Sequence, residues 1–171
     1  VLASTDAKPS AARVRHVKGS HIVVPRVHDE EHAYILQNSD NRIVFVIPYQ
    51  ERWSLIGTTD VPVDEYDAPR ISDDETDYLI ALANAYLEKP ISRADVVWSY
   101  SGVRPLYDDG TSDPSAVTRD YVLKLDALDD AAGSERAPVL SIYGGKITTY
   151  RKLAEAALSE LAPYFPGMKS G

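Results

Sequence analysis

Cysteine is absent from this chain. Its absence removes disulfides, thiolate metal ligands and thiol nucleophiles. It is compatible with a cytosolic setting without establishing one. No apolar run approaches the ~20 residues that a membrane-spanning helix needs. The N-terminus has no basic stretch followed by a hydrophobic one, so no signal peptide is expected. Basic residues are in deficit, 18 Lys and Arg against 26 Asp and Glu, for a net charge of -8. That sign argues against general nucleic-acid binding but leaves room for a local basic pocket. Glycine is sparse, nine in 171 residues, and none stand as G-x-G-x-x-G. If the protein uses a dinucleotide, the main fingerprint for it is not in this stretch. The four histidines include no pair at i, i+4 on a convincing helix, so no metal site is expected. An initiator methionine is also missing, and residues 1–12 read as a flexible arm. A piece cut from a longer protein is the expectation, with 166–171 as a tail.

The composition is that of a globular protein, 44% hydrophobic and 26% charged. Strand-like runs come in series. Arg13 to Val17 alternates polar and apolar, and Lys18-Gly19-Ser20 reads as a break. His21 to His28 is β-branched, with Pro25 suggesting an edge or bulge. Ala33 to Gln37 follows, then the turn cluster Asn38-Ser-Asp-Asn41. Arg42 to Ile47 is apolar at both parities, which predicts a strand covered on both sides. Trp53 to Gly57 completes a meander, and 61–70 reads as loop. Ser72-Asp-Asp-Glu75 fits a capping box, opening a helix to about Glu88. Asp95 to Tyr100, Tyr121 to Leu125 and Pro138 to Tyr143 are further strands, and a second helix follows from about Tyr150. Strands in runs with two interposed helices define an α+β class with a mainly antiparallel sheet flanked by helices.

Three features could carry chemistry. Arg104 ends a strand-like run beside Pro105, and Arg119 opens the next run after a turn-rich loop. Two guanidiniums at one loop mouth can clamp a phosphate or carboxylate through paired hydrogen bonds; structural ion pairs are the alternative. Gly144-Gly145-Lys146 joins a strand to a helix whose N-terminal N–H groups suit an anion or a negatively polarised ring edge; a tight structural turn capped by Thr148 or Thr149 is the alternative. His21 follows the flexible turn Lys18-Gly19-Ser20 and is a candidate proton acceptor, or a partly exposed loop histidine. Thr58-Thr59-Asp60 ends a strand with two hydroxyls and a carboxylate, fit to orient a ligand or to cap a turn.

Six segments together resemble the FAD-dependent, aerobic-type glycerol-3-phosphate dehydrogenase family. They are Val17 to Arg26, Arg42 to Pro48, Ile56 to Asp60, Val97 to Leu106, Thr118 to Tyr121 and Gly144 to Leu153. The resemblance implies a substrate domain of the D-amino-acid-oxidase or glycine-oxidase type over 13–165, with a flavin-contacting return segment at 143–162. It also implies an N-terminal FAD-binding region and a C-terminal helical region outside this stretch. The family oxidises sn-glycerol 3-phosphate to dihydroxyacetone phosphate, passing hydride to flavin and electrons to quinone. By matching motif, His21 is the candidate base, and Arg104 and Arg119 hold the phosphate. Thr58 or Thr59 touches substrate, without a choice between them. Gly144, Gly145, Lys146, Thr148 and Thr149 lie against FAD, with Lys146 also near substrate. The implied partners are glycerol 3-phosphate, quinone and a membrane surface, and no nucleic acid; a homo-oligomer is compatible. The implied location is cytoplasmic, peripheral to the inner membrane. The competing expectations are a flavin-dependent oxidase of a small 2-hydroxy acid or amine, and a non-catalytic anion-binding module. The isolated stretch is expected to be inert.

Overall fold

The structure is a computed structural model that describes residues 13–108, 110, 120–126 and 137–167. These fall into two compact units, one over 16–104 and one formed by 13–15 with the described residues after 104.

The larger unit is built on a sheet of six strands. They are β1 (Val14–Pro25), β2 (Tyr34–Gln37), β3 (Ile43–Tyr49), β4 (Trp53–Gly57), β5 (Val61–Pro62) and β6 (Trp98–Tyr107). The order is β2-β3-β4-β1-β5, and β6 also pairs with β1. The meander β2-β3-β4-β1 is antiparallel throughout, with Tyr34 opposite Val46, Val46 opposite Ile56, and Ile56 opposite Ile22. Its tight turns place Asn41, Gln50 and Glu51 at positive φ, of which asparagine tolerates that region best. Alternation then divides the sheet faces. Ile22, Val24, Leu36, Val44, Val46 and Ile56 are buried against Leu79, Leu82 and Ala83 of α1 (Asp73–Asn84). Each such aliphatic residue, fully buried, stabilises by about 1.5–3 kcal/mol relative to exposure. The capping box is present: Ser72 Oγ accepts from the Glu75 amide and the Glu75 carboxylate accepts from the Ser72 amide.

Several local expectations change. Among the described residues β3 is covered on one side only; Ile43 and Phe45 stand exposed beside Ile35 because α1 reaches one face. Pro25 is the last residue of β1 and faces Trp53. Lys18-Gly19-Ser20 does not break the strand, which runs straight through it. β6 likewise continues through Arg104 and Pro105 to Tyr107. The segment after Asp60 is not all loop, since Val17 and Lys18 pair with Pro62 and Val61. The first helix ends at Asn84, where Ala85 is its C-cap.

The smaller unit holds the hairpin of β7 (Val122–Asp126) and β8 (Val139–Tyr143), paired antiparallel with Val122 opposite Tyr143. A short 3-10 turn, Ile147–Thr149, leads into α2 (Tyr150–Leu161). Leu106 is buried there, Tyr107 packs edge-on to Tyr143, and Arg15 pairs with Asp108 at 3.0 Å. Ile147 and Tyr150 stand open at 87% and 70% exposure, an apolar outer surface that no described residue of the unit covers.

Candidate functional site

The side chains with chemical potential in the larger unit gather around β1. Strand parity puts Gly19 and His21 on one face and Ser20 and Ile22 on the other. His21 lies opposite Gly57 in the β1–β4 ladder. A Cβ at Gly57 would stand 2.6 Å from His21 Cγ and 2.9 Å from Nε2, so the imidazole occupies the space that glycine leaves. Tyr100 of β6 stacks on the ring at 4.9 Å between centroids, 5° from parallel. Burial of the imidazole, and then the charge of Arg104, push its pKa below the ordinary histidine value. His21 is therefore a neutral imidazole at neutral pH, the state in which it can accept a proton. Its Nδ1 is buried and has no hydrogen-bond partner among the described residues.

Arg104 is fixed by the loop after β4. Its Nη1 donates to Asp60 Oδ1 at 3.0 Å and its Nη2 to Thr58 Oγ1 at 3.1 Å. The Arg104 side chain is 30% exposed and that of Asp60 12%. The guanidinium lies over Gly19, where a Cβ would come within 2.6 Å of both Nη1 and Thr58 Oγ1. Gly19 thus has a spatial rather than a conformational role: it makes the hollow in β1 that Arg104 fills. The substitution Gly19→Ala is expected to displace the guanidinium while keeping the fold. The expected readout is an almost unchanged melting temperature with the Arg104 guanidinium moved away from Asp60 in a crystal structure of the variant. An unmoved guanidinium would show that the hollow at Gly19 is not what seats it.

Thr58 and Thr59 part company. Thr58 Oγ1 touches Arg104, while Thr59 is 2% exposed and faces the other way. Thr59 Oγ1 donates to Glu75 Oε1 at 2.6 Å and accepts from the Ser20 amide at 3.0 Å. Ser20 Oγ donates to the same Glu75 oxygen at 2.8 Å and lies 2.8 Å from Ser101 Oγ. The second oxygen, Oε2, takes Lys18 Nζ at 2.8 Å and the Ser72 amide at 2.9 Å. Glu75, only 5% exposed, thereby ties β1, the 58–60 loop, β6 and α1 together. Burial alone would raise its pKa, but Lys18, Thr59, the Ser72 amide and Ser20 outweigh it and hold the carboxyl at about 2. The sequence shows Glu75 as a capping-box residue; its second task depends on pairings across the sheet that spacing does not encode.

Arg119 lies outside the described residues. Gly144, Gly145, Lys146, Thr148 and Thr149 belong to the smaller unit. Gly144 and Gly145 have φ of 70° and 105°, the region that favours glycine. A Cβ at Gly144 would meet the Asp120 carbonyl oxygen at 3.0 Å. Among the described residues no side chain caps the 3-10 turn or α2; Thr149 Oγ1 donates instead to the Lys146 carbonyl at 3.1 Å. Uncapped N–H groups preceded by a glycine pair and a lysine fit a negatively polarised group, such as the edge of a reduced flavin. Among the described residues no cluster of acids and histidines could hold a metal ion.

On this antiparallel sheet an uncharged histidine thus stands beside an arginine held by Asp60 and Thr58. A model of the family described as FAD dependent oxidoreductase matches residues 2–151, and the chain belongs to that family. Among curated proteins it is 53% identical over 161 residues to the aerobic glycerol-3-phosphate dehydrogenase of Escherichia coli (strain K12), covering 94% of this chain and 31% of that protein. It is 46% identical over 169 residues to the D-erythritol 1-phosphate dehydrogenase of Brucella abortus (strain 2308), covering 98% of this chain and 32% of that protein. Among solved structures, the glycerol-3-phosphate dehydrogenase from Bacillus halodurans complexed with FAD aligns with a TM-score of 0.70 at 28% identity, over 99% of this chain and 31% of that one. The chain thus spans about a third of the length of these relatives. The antiparallel α+β architecture agrees with this family and with that structural neighbour.

Proposed function

We propose that this chain is the substrate-binding portion of an FAD-dependent dehydrogenase that oxidises sn-glycerol 3-phosphate to dihydroxyacetone phosphate. The observation that carries the reading is the neutral imidazole of His21 set beside the Arg104 guanidinium. In this reading Arg104 binds the phosphate, as the planar fork suits. Asp60 and Thr58 hold the guanidinium in place before substrate arrives, so little order is lost on binding. His21 takes the proton of the C2 hydroxyl at the ring nitrogen that is not enclosed, Nε2. Flavin, when bound, supplies the acceptor for the hydride leaving C2. Gly144, Gly145, Lys146, Thr148 and Thr149 are the residues that would hold it, through the uncapped helix terminus. Arg119 is proposed as the second phosphate ligand on motif position alone. The six matching segments support electron transfer onward to quinone, at the cytoplasmic side of a membrane. Among the described residues no helix is long and apolar enough to cross a membrane, so that role would be peripheral or fall to chain beyond this stretch.

The test uses a polypeptide extending this chain to the length of its relatives. Flavin reduction should be far faster with glycerol 3-phosphate than with lactate or glycine, and no turnover on the phosphate would sink the proposal. Replacing Arg104 by alanine should lower kcat/KM about 10- to 150-fold, chiefly through KM, since a hydrogen bond to a charged group is worth about 1.5–3 kcal/mol. A second reading, oxidation of a longer polyol phosphate, is favoured by the Brucella relative and shares the same phosphate end. A higher kcat/KM on D-erythritol 1-phosphate than on glycerol 3-phosphate would select it.

A further inference from the structure

We infer that Tyr100 is the positioning residue for His21: its ring, stacked parallel on the imidazole, sets the plane in which the base presents its accessible nitrogen. The inference rests on the reading of His21 as the base. Catalytic histidines are ordinarily oriented by a hydrogen bond from the second ring nitrogen to a carboxylate or carbonyl. Here that nitrogen, Nδ1, is enclosed and finds no such partner among the described residues. The ring must be held through its faces and edges instead. Gly57 supplies the space against the β4 backbone, and Tyr100 supplies the contact, at 4.9 Å and 5°. An offset parallel stack at that distance is a favourable aromatic geometry. Tyr100 is in turn braced by Trp98, at 5.5 Å between centroids. Sequence parity puts Trp98, Tyr100 and Arg104 on the same side of β6, two and four residues apart. One strand thereby carries both the anion-holding group and the brace of the base.

Among the described residues the charged and titratable groups around the imidazole are few. Arg104 and Tyr100 come from β6, Asp60 reaches Arg104 from the loop after β4, and Tyr49 of β3 lies near Tyr100. Burial and then Tyr49 raise the Tyr100 pKa, so its phenol stays neutral while His21 titrates. Removing the ring opens the imidazole to water, and its titration should move up toward the ordinary histidine value.

Two variants in the extended polypeptide test this. Tyr100→Phe keeps the ring and should stay within about twofold of the parent, because stacking needs no hydroxyl. Tyr100→Ala should lose about tenfold to a hundredfold in kcat with KM nearly unchanged, and the acid limb of kcat/KM should move to higher pH. Tyr100 is 40% exposed, so neither change hollows out the core. Equal losses in both variants, or a raised KM with kcat kept, would overturn the proposal. Histidine ring NMR separates it from the assignment of the base. With the His21 signals identified by their loss in His21→Asn, Tyr100→Ala should shift their titration midpoint and Tyr100→Phe should not. No shift in either variant overturns the positioning role. A His21→Asn enzyme of parental kcat and pH profile overturns the base itself, whatever the NMR shows.

Discussion

His21→Ala, in a polypeptide of the relatives' length, should lower kcat by about 10²–10⁴-fold, the usual contribution of a positioned general base. KM should change little, because the variant keeps Arg104, the proposed phosphate ligand. The same histidine dictates the pH dependence. Its folded pKa lies below the ordinary histidine value, owing first to burial and then to Arg104. It is therefore neutral and competent at pH 7 and loses competence as pH falls through that lowered pKa. The acid limb of kcat/KM should accordingly sit below the usual histidine range, and it should vanish in His21→Ala. An acid limb that survives the substitution would assign the proton to another group.

The second large effect concerns stability. Glu75→Gln should destabilise the larger unit by about 3 kcal/mol, as expected for loss of one partner from a buried ion pair. Linkage leads to a similar figure. The carboxyl is lowered from an ordinary 4.5 to about 2. A depressed carboxylate pKa contributes stability that is fully present above the unfolded value and is lost as pH falls through the folded one, here between about pH 5 and pH 2. That difference corresponds to about 3 kcal/mol at neutral pH. Urea unfolding of parent and variant at pH 7 and at pH 3 checks both statements. The gap between them should be wide at pH 7 and narrower at pH 3. An equal gap at both values would mean that charge is not what Glu75 contributes.

Much of this was legible in the residues. The strands of the meander announce themselves through β-branched alternation and the Asn38–Asn41 turn, and α1 through Ser72 and Glu75. His21, Arg104, Thr58 and the Gly144 turn could be singled out because their types are rare or chemically pointed. What the residues concealed is contact across the sheet. Gly19 reads as a break, yet it is a hollow for a guanidinium that arrives from β6, 85 positions later. Thr58 and Thr59 are neighbours in sequence, but the loop after β4 turns one to Arg104 and the other to Glu75. Tyr100 looks like any strand aromatic until its ring is seen on His21. Each of these depends on which strand lies beside which, and local pattern does not specify that.

The parity of β1 has a consequence for any survey of variants. Positions 19 and 21 shape the space for Arg104 and carry the imidazole, while positions 20, 22 and 24 anchor the Glu75 network and the core. Between 19 and 22, a tally of tolerated substitutions scored by cellular abundance would therefore show intolerance at 20 and 22. The same tally scored by growth on the proposed substrate would extend it to 19 and 21. Subtracting one profile from the other would leave a two-residue beat, picking out the working face of the strand from genetics alone.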